Sequence, residues 1–482
     1  MQLFDSLLYW GAPKVAFLEV TNHCNLRCVM CAHAQDDLRM EKGHMTMEMF
    51  EDAFSQCKDD IRSLCLFSAG EPLLARNWDR ILQHCIENLP KGVDINFSTN
   101  GLLFTEQKIL PLLGRDINIT ISIDGATKAT YEAIRPGAFF TPVRLAPWSG
   151  KDQVRPGAVK KHGGSFERLL NNIRLINTLK DKYHTDKPSI EIAFAASRDN
   201  VTELPLIAKL AVELRAVQLV IAQRIFFNED DFRRCSLLFA RELFDENLQK
   251  AVEICHQGRP GAVKNRGGIS IIHGGTYSSL IPPPEGLINR FFDMRPNGRF
   301  ACRTAQEHVS IGFKGLIRAC CFIDHLFMGN LNHNTMMEVW HGAHYRHLRL
   351  DISNGRFGDG CKNCPFFQLL GRHEAACLRR LNTSSYIEAS PRIEQPYNIF
   401  ALNSEFQGIM DDWRHGRKAS KTVIEGLLRL WQQDNYLFEV ANNIGVIYAL
   451  TNDIASARQW IGKAYAINPL DALLQENYNE IS

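Results

Sequence analysis

Cys24, Cys28 and Cys31, in the stretch TNHCNLRCVMC, set three thiols close together and supply no fourth. A structural zinc site is normally closed by four protein ligands, whereas a cubane iron-sulfur cluster held by three cysteines leaves one iron open to another ligand. The spacing CxxxCxxC therefore points to a metal centre where chemistry is done. Three unrelated buried thiols and a redox-sensing cluster are the other readings of the same residues. A second group, Cys302, Cys320, Cys361 and Cys364, brings four thiols, enough to close a site with either zinc or iron.

These residues need elements to position them. From Val15 to about Ile225, short apolar runs alternate with helical stretches, the pattern of repeated βα units around a parallel sheet. Strands are expected at VAFLEVT from Val15, SLCLFSAGEP from Ser63, DINFSTNG from Asp94, INITISIDG from Ile117, SIEIAFAAS from Ser189 and VQLVIAQ from Val217. Their near-continuous apolar character predicts burial on both faces. Sites in parallel α/β architectures gather at the carboxyl ends of strands. That singles out Ser68 to Pro72 after the second run, Ser98 to Gly101 after the third and Ser122 to Gly125 after the fourth. Glu191, within the fifth, reads equally as a satisfied interior acid or a site residue.

Taken together, the cysteine motif after a strand and the elements SAGEP, STNG and SIDG resemble the radical S-adenosylmethionine superfamily. Met30 stands where many members have an aromatic residue, and Ala69 replaces the first glycine of the family's GGEP element. The resemblance implies a partial (βα)6 TIM-type barrel and a [4Fe-4S] cluster on Cys24, Cys28 and Cys31. The open iron would be chelated by the methionine part of S-adenosylmethionine. One electron then cleaves the cofactor to a 5′-deoxyadenosyl radical, which takes a hydrogen atom from substrate. It further implies that Gly70 and Glu71 hold the methionine ammonium, and that Ser122, Asp124 and Asn100 bond the remainder of the cofactor. The segments GFKGLIRACC, MGNLNHNTMMEVWHGAHYRHLRL and GDGCKNC resemble the compact form of the SPASM domain. That likeness implies one auxiliary [4Fe-4S] cluster on Cys302, Cys320, Cys361 and Cys364, with a zinc ribbon as the chemical competitor. Cys321 stands where peptide-modifying members often place an acid, and it and Cys377 are spare. His341, His344 and His347 make a skewed helical stripe instead of a metal pocket.

The 482 residues, 45% hydrophobic and 22% charged, suit an ordinary globular chain of about three domains. The formal charge of +2, from 55 basic and 53 acidic residues, gives no excess for a nucleic-acid or membrane-surface partner. No long uncharged apolar run or cleavable leader is evident, and fourteen cysteines outside any small-domain framework indicate a reducing, cytoplasmic setting.

The expected organisation is a barrel over residues 1–230, a helical bridge over 231–300, a SPASM-like unit over 301–380 and a helical tail over 395–482. A surface insertion is expected from Gly137 to His162. Its end, RPGAVKKHGG, recurs as RPGAVKNRGG from Arg259 with eight of ten positions shared, which reads as duplication tolerated in loops. In the tail, Glu439 to Leu470 fits one tetratricopeptide-like helix pair, with Gly445, Tyr448, Ala457, Ala464 and Pro469 at its small, aromatic and proline positions. Such a tail is a candidate docking surface for a peptide or protein. The function expected is radical modification of a peptide or protein side chain, with reducing equivalents from a flavodoxin or ferredoxin. Oxidation or epimerisation of a sugar-like small molecule is the alternative, and a non-catalytic iron-sulfur sensor is the alternative of another class.

Overall fold

All six expected strands form, in order and parallel. They are β1 (Val15–Leu18), β2 (Ser63–Cys65), β3 (Asp94–Thr99), β4 (Ile117–Ser122), β5 (Ser189–Ala196) and β6 (Gln218–Gln223). The structure is a computed structural model that describes residues 1–31, 41–137, 165–224, 226, 229–258, 270–274, 292–294, 300–320, 327–356, 361 and 397–482. The RPGAVK repeat lies outside the described residues, as does the insertion beyond residue 137.

The sheet runs on past both ends of this set. A seventh parallel strand, β7 (Ser270–Gly274), pairs with β6 and comes from the stretch expected as a bridge. A short hairpin, β8 (Phe292–Met294) with β9 (Phe300–Cys302), precedes β10 (His308–Ile311), which lies parallel to β1. The antiparallel strands β11 (Leu316–Arg318) and β12 (Phe327–Asn330) complete a ten-stranded sheet in the order β12-β11-β10-β1-β2-β3-β4-β5-β6-β7. The region expected as a separate cluster unit is thus hydrogen-bonded into the barrel sheet.

The central strands differ from the expectation of burial on both faces. Along β3, β4 and β5, buried and half-buried residues alternate strictly. The buried set, with Phe97, Ile119 and Phe194, is covered by helices; Trp78 at the start of helix Trp78–Asn88 meets Phe97 edge-on at 5.0 Å. The half-buried set holds Asn96, Ser98, Asn118, Thr120 and Glu191, so the inner face of the barrel is polar. Isoleucine between polar residues reads as a hydrophobic run in a window, while the period of two in fact divides core from lumen. Glu191 accepts from Thr120 Oγ1 at 2.9 Å, across the register that sets these two residues side by side.

The tail comprises helices Ile399–Arg414, Ser420–Gln433, Phe438–Leu450, Ile454–Ile467 and Ala472–Ile481. Within the third and fourth of these, Gly445 sits where an added Cβ would lie 2.6 Å from Ile461 Cγ1, 3.0 Å from Ile461 N and 3.1 Å from Ala457 O. The absent side chain lets the two backbones touch. Residues 2–8 of the chain lie against these helices, with Leu7 1% exposed. Gly445→Val should cost stability at the upper end of the ~1–3 kcal/mol typical of overpacked cores, read from the midpoint of urea denaturation.

Candidate iron-sulfur and cofactor site

The loop from Glu19 to Cys31 leaves the carboxyl end of β1 and is held by backbone and short polar side chains together. On one side, Asn22 N donates to Gly43 O at 3.2 Å, Gly43 N donates back to Asn22 Oδ1 at 2.8 Å, Asn22 Nδ2 reaches Glu41 O at 2.7 Å, and Thr21 Oγ1 donates to Gly43 O at 2.9 Å. On the other, Arg27 N and Val29 N donate to Pro136 O and Ile134 O, both at 3.0 Å. The cysteines are therefore presented by a frame in which Thr21 and Asn22 matter by their side chains and the rest by main chain. Met30 packs half-buried against the core at its edge.

Gly70 closes that frame. Its φ is +77°, and an added Cβ would lie 2.7 Å from both Asn22 Cα and His23 O, so a side chain is excluded by backbone as well as by conformation. Glu71 N donates to His23 O at 2.7 Å. The Glu71 carboxylate is buried and accepts from Leu73 N at 3.1 Å, Thr99 Oγ1 at 2.8 Å and Asn100 N at 2.7 Å. Burial pushes its pKa up although the three donors favour the ionised form. The resemblance gave Glu71 the cofactor's ammonium; here its side chain binds the ends of β2 and β3 together. Asn100 passes the constraint on, donating to Asn25 Oδ1 at 2.7 Å and lying 4.0 Å from Cys24 Sγ.

Asp124 is likewise engaged by its own chain. Its Oδ1 accepts from Ala195 N at 2.7 Å, and its Oδ2 accepts from Arg135 Nε. Arg135 Nη1 lies 3.7 Å from Cys28 Sγ, so one guanidinium joins the carboxylate to the second cysteine. Burial works against the charge on Arg135, yet Asp124 and Cys28 more than offset it and raise its pKa above the usual arginine value. Nothing in the sequence pattern marked Arg135, which ends the YEAIR segment as the cap of helix Lys128–Ile134. Ser122 ends β4 on the half-buried inner face, paired in register with Ala193.

Burial drives the thiol of Cys24 up to about 11 and that of Cys28 up to about 12, and each thiolate would be further opposed by the neighbouring sulfurs. The three sulfurs oppose one another's ionisation, and Asn100 and Arg135 lie 4.0 Å and 3.7 Å from two of them, yet among the described residues no three His, Cys, Asp or Glu side chains are gathered closely enough to hold a metal ion; a bound metal would replace the thiol protons. Lys42 adds a cation on the side of Cys31 and Cys24; burial lowers its pKa while these sulfurs support its charge.

Of the four cysteines expected at the second site, the structure sets Cys320 near enough to Cys302 to oppose its ionisation, and burial raises Cys302 to about 11. Cys361 is half-buried, and Cys364 lies outside the described residues, as do Cys321, Asp324 and Cys377. Register places this pair at the opposite end of the sheet from Cys24. Arg318 faces Ser310 and β11 runs antiparallel, so Cys320 continues toward His308, which is level with Val15 at the start of β1. The two cysteine groups are separated along β1 by its four residues, about 13 Å of strand. Beside the second group, Arg349 is 2% exposed and has no carboxylate partner among the described residues. It donates to Ala305 O and Trp340 O, both at 2.8 Å, and its Nη2 has no acceptor. A buried cation without a counter-ion is costly, and here the guanidinium lies over the rings of Trp10, Trp340 and Tyr345 at 4.9, 4.1 and 4.6 Å. His341, His344 and His347 do not converge: His341 meets Phe400, and His347 bonds Asp434 at 2.7 Å while stacking on Tyr436.

The fold is a partial parallel barrel with the three-thiol loop at the carboxyl end of its first strand. Residues 18–145 match the family model of the radical SAM superfamily, and residues 302–365 that of the SPASM iron-sulfur cluster-binding domain. The chain carries both domains, which imply a [4Fe-4S] cluster with S-adenosylmethionine in the first and auxiliary iron-sulfur binding in the second. Among curated relatives, it is 28% identical over 218 residues to the AdoMet-dependent heme synthase of Methanosarcina barkeri, covering 45% of this chain and 51% of that one. It is 25% identical over 207 residues to the tungsten-containing aldehyde ferredoxin oxidoreductase cofactor-modifying protein of Pyrococcus furiosus, covering 42% and 49%. With the mycofactocin maturase MftC of Mycobacterium tuberculosis it shares 28% over 139 residues, covering 28% and 33%. The chain spans about half the length, or less, of the curated relatives it matches. Among solved structures, native anSMEcpe with bound AdoMet aligns over 84% of this chain and 98% of that one, at 16% identity and a TM-score of 0.49. Streptococcus suis SuiB bound to precursor peptide SuiA aligns over 78% and 76%, at 13% identity and a TM-score of 0.48. Among the described residues, no helix is long and apolar enough to cross a membrane.

Two substitutions test the frame. Gly70→Ala should fold yet fail to retain iron at the amino-terminal cysteines after anaerobic reconstitution, with iron at the second site unchanged, as read by iron analysis of single-site cysteine variants. Arg135→Met strands the buried Asp124 carboxylate and should cost about 3–5 kcal/mol in denaturant titration of the metal-free protein. Adding Asp124→Asn should recover much of that loss.

Proposed function

We propose that this chain holds a four-iron cluster on Cys24, Cys28 and Cys31, binds S-adenosylmethionine at its open iron, and removes a hydrogen atom from a peptide or protein side chain. When bound, the cluster and cofactor supply a one-electron cleavage that yields a carbon radical able to take that hydrogen. What supports the reading is the placement of Cys24, Cys28 and Cys31 on one loop, locked by Gly70 at the carboxyl end of β1, with Arg135 and Asn100 directed at two of the sulfurs.

The residues divide the work as follows. Asn100 and Arg135 orient and electrostatically support Cys24 and Cys28. Gly70 and the backbone around it leave room for close approach of the methionine part, and Glu71 keeps that backbone in place. Ser122, on the inner face at the end of β4, is placed to bond the cofactor's polar groups, and Asp124 holds Arg135 toward the sulfur. The polar inner face of β3, β4 and β5 gives the cofactor and substrate hydrogen-bonding partners. Cys302, Cys320, Cys361 and Cys364 would hold one auxiliary cluster, in an arrangement of barrel to about residue 230, bridge to about 300, cluster unit to about 380 and tail from about 395. Lying a strand's length from the first cysteines, that cluster is positioned to anchor β9 to β11 as well as to exchange electrons. A small reducing protein such as a flavodoxin or ferredoxin would supply the electron. A peptide substrate is supported by the maturase among the relatives and by the extended peptide segment seated on the tail.

Anaerobically reconstituted, reduced protein supplied with S-adenosylmethionine should release 5′-deoxyadenosine, and Cys28→Ala should abolish it. Cys302→Ala should lower the iron content from about eight to about four atoms per chain, four being the complement of each cubane. Absence of the nucleoside product from cluster-loaded protein would rule out the catalytic reading in favour of an iron-sulfur scaffold.

A further inference from the structure

Residues 2–8 have no strand partner, and the tail satisfies their backbone instead. Asn443 takes both polar groups of Phe4: its Oδ1 accepts from Phe4 N at 2.8 Å and its Nδ2 donates to Phe4 O at 2.9 Å. Asn477 does the same for Gln2, accepting from its N at 2.6 Å and donating to its O at 2.7 Å, while Asn442 Nδ2 adds a bond to that oxygen at 2.9 Å. Leu7 N donates to Asn403 Oδ1 at 2.7 Å, and Leu8 N donates to Glu439 Oε1 at 2.6 Å. Arg346, paired with Glu439 at 2.6 Å, donates to Leu8 O. Asn443 and Asn477 thus each offer one guest residue the donor and acceptor that a neighbouring β-strand would offer.

Three features separate this arrangement from ordinary core packing. Asn442, Asn443 and Asn477 are 0% exposed, and two of them sit in the otherwise apolar helix FEVANNIGVIYAL, where a side chain with only a packing role would be apolar. The bonds from these asparagines to the segment go to main chain alone, so they read no guest side chain. Side-chain selectivity lies elsewhere: Phe4 meets Phe438 edge-on at 5.3 Å, Leu7 is buried with the apolar residues of helices Ile399–Arg414 and Ser420–Gln433, Gln2 Nε2 donates to Glu476 at 2.8 Å, and Asp5 pairs with Arg414 on the exposed side.

We propose that the tail surface under residues 2–8 is a backbone-reading site for a peptide that bends as that segment does at Asp5 and Ser6, with residues 2–8 as its resident occupant and, as its ligand in trans, a peptide apolar at the positions of Phe4 and Leu7. Occupancy in cis acts as competition: the resident is present at the high effective concentration of a tethered ligand, so a free peptide binds weakly until the resident is weakened or outnumbered. The site needs neither cluster nor cofactor, and it stands or falls independently of the proposed reaction.

The probe is a fluorescent synthetic peptide of residues 1–10, used with the full-length chain. Phe4→Ala/Leu7→Ala, which weakens the resident, should bind the probe at least about tenfold more tightly than the unaltered chain, as expected when cis occupancy sets apparent affinity. Asn442→Ala/Asn477→Ala added to that variant should remove the gain, as should N-methylation of the probe's Phe4 amide. Should the doubly substituted chain fail to fold, the unaltered chain decides: excess probe should speed deuterium exchange at the Phe4, Leu7 and Leu8 amides. Failure of the probe to bind the folded variant or, where that does not fold, to speed exchange would overturn the proposal, as would binding indifferent to N-methylation.

Discussion

The close approach of Gly70 to the backbone of Asn22 and His23 is the constraint on which the candidate site depends. It fixes where the loop carrying Cys24 can run, because two main chains meet with no side chain between them. The Glu71 carboxylate then binds that contact to the ends of β2 and β3 through Leu73, Thr99 and Asn100. Asn100 returns the constraint to the loop through Asn25. The result is a closed circuit of backbone and buried polar bonds around the first cysteine, and such circuits hold geometry well because breaking any member leaves another unsatisfied.

A second circuit runs through the next cysteine. Ala195 N positions Asp124, Asp124 positions Arg135, and Arg135 faces Cys28. It draws β4, β5 and the helix after β4 into the support of one sulfur. A third connection, the buried pair of Glu19 with Arg318 at 3.3 Å, ties the end of β1 to β11 and so couples the cysteine loop to the cluster-binding segment. These charges are shielded from water, and each has a partner that justifies its burial.

Much of this was legible in the chain. The six parallel strands follow from apolar runs broken by turn residues, and the site elements follow from the polar residues that end those runs. Gly70 was identifiable because the SAGEP element resembles a family element whose backbone must be approached closely, whereas its contact with Asn22 and His23 appears only in the fold. The polar face of β3 to β5 was misread because Ile, Phe and Ala between Asn, Ser and Thr raise a window's hydrophobicity and mask the alternation. Arg135 escaped notice since its role depends on a helix end meeting a loop about a hundred residues earlier in sequence. The asparagines of the tail were equally opaque: in a helix they look merely tolerated, and the segment they hold is encoded more than four hundred residues away. The pairing of β10 with β1 could not be read from either strand alone.

That last pairing bears on how the chain is made. During synthesis β1 acquires β2 early, but its other edge stays open until β10 has emerged nearly three hundred residues later. At typical rates of about 5–20 residues per second, the exposed edge persists for roughly 15 to 60 s. The segment with Phe4 and Leu7 waits longer still, since Asn442, Asn443 and Asn477 follow β10 in the chain. A nascent chain with an unpaired strand edge and an uncovered apolar segment is open to wrong partners, so its yield in a cell should depend on chaperones that shield the emerged part of the chain.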